Sequence, residues 1–203
     1  MCRGGVRHID SQVCIRTEVR IVDMDPLDCA FYRAGMAVVA VRFGIKLHQL
    51  SIGDQYGLDG ETKLEPLERW CHLGDGINPF LSARIEDFVT TLLSGSAANY
   101  IRAEDQRCHL KQSMGNAGLE MRFLRQVWEC LQPEPDRAVA IIVSSLKDFD
   151  DGDVEATTRQ LWHRAVRILR QPKHYKQLKR LSRRLEEMKH MSGDEVIRIL
   201  NDD

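Results

Sequence analysis

Between residues 13 and 52 the spacing of apolar positions changes twice. Residues 13–22 (VCIRTEVRIV) alternate, with Ile15, Thr17, Val19 and Ile21 on one face and Arg16, Glu18 and Arg20 on the other. That period of two predicts a half-buried strand. Asp25-Pro26 then predicts the start of a helix, with proline preset for the first turn and Asp25 or Asp28 near its positive end. The helix is expected to run to about Phe43 and to stop at Gly44. Residues 45–52 (IKLHQLSI) read as a second strand.

Residues 53–79 break the pattern with glycines, two prolines and several acids. They predict an irregular connection of a length that usually carries function. A helix follows over 81–102, with Ile85, Phe88, Val89, Leu92 and Leu93 on its apolar face. Further helices are predicted over 117–131, 136–146, 153–170, 173–189 and 193–200, separated in places by Pro133, Pro135 and Pro172. Leu178, Leu181, Leu185 and Met188 form a stripe at helical spacing, and Ser192 with Glu195 forms a capping box for the last helix. The sum is a mainly α chain of the α+β kind, with a small β element near the N-terminal half. Residues 1–24 read as an extension carrying the first strand, and 25–203 as one globular unit.

At 203 residues and 43% apolar the chain can bury a core of its own. No stretch approaches the roughly 20 uninterrupted apolar residues that span a bilayer, and the first residues hold no apolar run of the secretory kind. The six cysteines make no CxxC pair, so reduced thiols and a cytoplasmic location are expected, with no membrane partner. Charge is unevenly placed: eleven of the 29 Lys/Arg, but two of the 30 acids, fall within 159–189. A basic C-terminal region is thereby set against an acidic body.

Residues 30–40 (AFYRAGMAVVA) carry the most specific signal. They resemble A-[YF]-H-E-A-G-H-A-[LV]-V-A, the zinc helix of FtsH-type AAA protease peptidase domains, at Ala30, Phe31, Ala34, Gly35, Ala37, Val38, Val39 and Ala40. Three further segments match that family in order. Residues 44–52 (GIKLHQLSI) resemble its following strand, and 92–99 (LLSGSAAN) a helix ending in L-L-A-G-x-A-A-E. Residues 191–200 (MSGDEVIRIL) resemble its closing [LM]-[ST]-G-[ED]-E-[VI]-x-x-[IL]-L. The resemblance spans 28–200 and implies a helical peptidase-like fold with a small β element beside the zinc helix.

In H-E-x-x-H the two histidines share a helix face and bind zinc, and the glutamate is general base toward the bound water. Here Tyr32 and Met36 stand at the ligand positions and Arg33 at the base. The family's third ligand, an Asp in G-A-x-N-D-L, corresponds to Gly118 or Leu119 in residues 114–120 (MGNAGLE), with Glu120 one or two residues away. Asn99 and Tyr100 replace the glutamate of A-A-E. Zinc takes imidazole, thiolate or carboxylate donors; a phenol and a thioether are poor substitutes, and a guanidinium repels the metal. No G-x-x-x-x-G-K-[ST] occurs, so the AAA module is absent as well. The expectation is a catalytically inactive domain without cofactor, whose role is binding a protein partner or assembling with itself.

Two other classes compete. Cys71-His72 and Cys108-His109 supply four possible zinc donors, and a metallopeptidase with displaced ligands would draw on His48, His72, His109 or Glu120. Adjacent donors seldom converge on one ion, so the bland expectation is a core cysteine beside a surface histidine. A nucleic-acid surface would use Arg164, Arg167, Lys173, Lys176, Lys179, Arg180, Arg183 and Arg184. Trp162 and Tyr175 are the only aromatics among them, which favours a solvated face pairing with the acidic loop or a neighbouring subunit. Arg33 carries one sharper expectation: beside Tyr32 in a surviving cleft, its guanidinium would hold a carboxylate, from Glu120 or from a ligand.

Overall fold

A computed structural model describes residues 26–53, 60–65, 79–110 and 151–202. Helix α1 (Pro26–Phe43) is buried on nearly every side from Cys29 to Ala40. A helix that is apolar all round belongs at the centre of a bundle. Its end follows from Gly44, whose φ of 71° is open to glycine at little cost. Gly44 N–H then donates to Val41 (3.2 Å) and Ile45 N–H to Ala40 (2.9 Å), the paired closure of a Schellman turn.

Helix α2 (Pro79–Leu110) crosses α1 and extends beyond the expected 81–102 at both ends. Ile85, Phe88, Val89, Leu93, Ala97, Ala98 and Ile101 form its buried face. Buried hydroxyls on the same helix are satisfied locally: Thr90, Thr91, Ser94 and Ser96 donate to carbonyls three or four residues back, at 2.5–2.9 Å. Helix α3 (Asp151–Leu169) packs on α2 through Trp162, whose ring meets Tyr100 edge-on at 5.1 Å and whose Nε1–H donates to Ser96 Oγ (3.1 Å). Pro172 opens α4 (Pro172–Met188) in the first-turn position where its missing N–H costs nothing. Leu178, Leu181 and Leu185 are fully buried against the core. Met188, expected on the same stripe, is instead 44% exposed, because the helix ends there and Lys189 turns away with φ 63°.

Strands β1 (Leu47–Ser51), β2 (Thr62–Leu64) and β3 (His190–Ser192) form an antiparallel sheet in the order β2-β1-β3. Leu50 pairs with Thr62 on one side and Met191 on the other. Residues 53–79 were expected to be irregular, yet they contain β2; β3 was not expected as a strand at all. Three residues are too few for an alternation to show. Helix α5 (Gly193–Asn201) closes the described chain with the expected capping box: Glu195 N–H donates to Ser192 Oγ, and Ser192 N–H to the Glu195 carboxylate at 2.7 Å. Gly193 lies so close to β1 that an added Cβ would fall 1.9 Å from the Leu47 carbonyl oxygen. The segment MSGDE is thus one unit of strand, glycine contact and cap.

The architecture is mainly α with a small β element, as the pattern predicts. The strand expected over 13–22 and the helices expected over 117–131 and 136–146 lie outside the described residues. Among the described residues no helix is long and apolar enough to cross a membrane.

Candidate functional site

Tyr32, Arg33 and Met36 lie on the middle of α1, and each is engaged in packing. Met36 is buried in the core at 2% exposure. The ring of Tyr32 covers Gly95 of α2: a Cβ built there would come within 2.7 Å of the ring carbons. Two turns of small residues make this approach possible, since Gly35 of α1 in turn faces Ser94 and Ala98 of α2. The two segments that match the peptidase pattern, 30–40 and 92–99, therefore meet at one helix crossing.

Arg33 is 2% exposed, which is rare for a guanidinium. Its Nη2 donates to the Gly60 carbonyl, just ahead of β2, and its carbon Cζ lies 5.8 Å from the Tyr32 ring centroid. Among the described residues, Nη1 is buried with no hydrogen-bond partner. Burial holds the guanidinium below its ordinary pKa, opposed by the fields of Tyr32, Cys29 and Glu61. Of the carboxylate partners expected for Arg33, Glu120 lies outside the described residues; among the described residues its hydrogen bond goes to a backbone carbonyl. Thr62, the buried position of β2, also has a hydroxyl with no hydrogen-bond partner among the described residues. Neither Gly60 nor Thr62 was legible as a site residue, since nothing in a glycine-rich run marks which carbonyl or hydroxyl will be buried.

Of the other candidate ligands, only His48 has a described side chain. Cys71, His72, Gly118 and Glu120 lie outside the described residues. Cys108 and His109 are consecutive in α2, and their side chains are not among those described. His48 is exposed on β1. Among the described residues no three His, Cys, Asp or Glu side chains gather as a metal site.

The basic positions divide into two sets. Arg164 pairs with Asp87 at 2.6 Å and lies over the Phe43 ring at 4.9 Å; Lys179 pairs with Asp105 at 3.7 Å; Arg184 pairs with Glu187 at 3.0 Å. Arg180 donates to the Asp202 carbonyl. Outside the eight, Arg170 pairs with Glu104. Among the described residues, acids of α2 supply the long-range partners. Arg167, Lys173, Lys176 and Arg183 are exposed and make no ion pair among the described residues.

Comparison with protein-family models and with curated proteins gives no match to this chain.

Proposed function

We propose that this chain is a catalytically silent relative of the FtsH-type peptidase domain, acting as a protein-binding or assembly module. One observation carries the reading: the three α1 positions that would hold zinc and the base are filled by packing groups. Tyr32 covers Gly95, Met36 joins the core, and Arg33 is buried against Gly60. A guanidinium at the base position cannot take a proton from water and repels a divalent ion. The close contacts of Gly35 and Gly95, which bring the two resembling segments to one helix crossing, support the reading. A domain with this crossing but without the chemistry retains the means to hold polypeptide, which is the parent family's cargo.

The test is binding without turnover. An unfolded polypeptide, reduced and carboxymethylated lactalbumin, is titrated into the full chain by calorimetry, and the mixture is then followed by mass spectrometry. Saturable binding with the polypeptide intact is the expected result. Cleavage fragments that vanish with a chelator would establish a zinc peptidase with displaced ligands instead. Absence of both binding and self-association in sedimentation equilibrium would overturn the module reading.

A further inference from the structure

The described part of the molecule leaves two buried polar groups without partners where α1 meets β2. Arg33 approaches from α1: one side of its guanidinium holds the Gly60 carbonyl, while Nη1 holds nothing. Thr62 lies two residues beyond Gly60, at 4% exposure, and its Oγ1 is likewise unpartnered. The two elements are in direct contact. Both orphans are donors, and one bears a full positive charge. The fields of Tyr32, Cys29 and Glu61 favour the charge, but among the described residues its one hydrogen bond is to a backbone carbonyl, and an anion that accepts from Nη1 would offset the remaining cost of burial. Guanidinium N–H groups together with a hydroxyl match the two acceptor oxygens of a carboxylate.

We propose that the α1–β2 junction is a carboxylate-binding site, with Arg33 Nη1 as the charged donor and Thr62 Oγ1 as the second donor. The carboxylate comes either from a small free acid or from the C-terminus of a bound peptide. Only the peptide source rests on the protein-binding reading above.

The test is thermal unfolding of the full chain at constant ionic strength, with sodium acetate set against sodium chloride. A second arm compares a pentapeptide of alanine and glycine bearing a free C-terminus with its amide. Acetate or the free-acid peptide is expected to raise Tm, with Arg33→Met abolishing the shift and Thr62→Val weakening apparent affinity by roughly tenfold, the loss of about one hydrogen bond. Arg33→Met removes a poorly satisfied buried charge and should fold; Arg33→Lys, which keeps the charge but loses the fork, provides a second variant with a weakened response. A shift with the free-acid peptide but not with its amide supports the site and the module together. A shift with acetate alone supports the site and leaves the module to the binding experiment above. Equal shifts in the parent and in Arg33→Met, or no shift with either probe, would overturn the site.

Discussion

Gly35 of α1 and Ala98 of α2 stand so close that a Cβ at position 35 would lie 2.6 Å from the Ala98 Cβ and 2.6 Å from the Ser94 carbonyl oxygen. Backbone-to-backbone approach of this kind is available only to glycine. Gly35→Ala gains up to about 1 kcal/mol of helix propensity but overpacks the crossing. The expected net loss is about 1–3 kcal/mol in urea unfolding. Gly35→Ala combined with Ala98→Gly should recover part of that loss and no more, because the Ser94 carbonyl remains in the way.

Gly193 is tied to the sheet in the same manner. Its added Cβ would meet the Leu47 carbonyl oxygen at 1.9 Å, and both groups are backbone, so neither can swing aside. Gly193→Ala is predicted to cost about 3 kcal/mol and to raise amide exchange in β1, β3 and α5 together. Exchange confined to α5 would mean that the contact does not anchor the sheet.

Trp162 joins α3 to α2 through its Nε1–H bond to Ser96 and its edge contact with Tyr100. Trp162→Phe keeps an aromatic ring but loses the hydrogen bond and part of the buried volume. A loss of about 2 kcal/mol in urea unfolding is expected. A loss within a few tenths would show that the α2–α3 contact tolerates repacking there.

The capping box gives α5 a defined response to acid. Hydrogen bonds from the Ser192 backbone and hydroxyl hold the Glu195 carboxyl below its ordinary pKa. A carboxyl depressed on folding stabilises the native state above its unfolded pKa and loses that contribution as pH falls through the folded value. The difference in Tm between the parent and Glu195→Ala should therefore be full at neutral pH. It should close as the pH drops below the ordinary carboxylate range. A difference independent of pH would contradict the assignment.

Long elements were legible in the sequence because their physical signals are local. The Pro26 start, the Gly44 stop, the apolar face at Ile85, Phe88, Val89 and Leu93, the break at Pro172 and the Ser192–Glu195 cap all depend on residues within a turn of one another. The sheet was only partly legible, since Thr62 and Met191 become strand residues by pairing with Leu50 across the chain. The same holds for the site. The substitutions at Tyr32, Arg33 and Met36 are visible in the text of the chain, whereas the carbonyl that receives Arg33 is chosen by tertiary packing. The basic run was legible as a face that pairs with acids, whereas the α2 acids Asp87 and Asp105 that engage Arg164 and Lys179 were not singled out.

The packing of Tyr32 on Gly95 and the burial of Arg33 and Met36 leave α1 without zinc donors at the positions that match the peptidase pattern. The most direct measurement is the zinc-to-chain ratio, by elemental mass spectrometry, of protein purified without a metal-binding tag. Far less than one zinc per chain is the predicted result. A ratio of about one, retained through dialysis, would contradict the silent-domain reading, because a tight structural or catalytic site of the usual three or four donors would then exist. Cys71, His72, Cys108, His109 and Glu120 would be the first residues to replace.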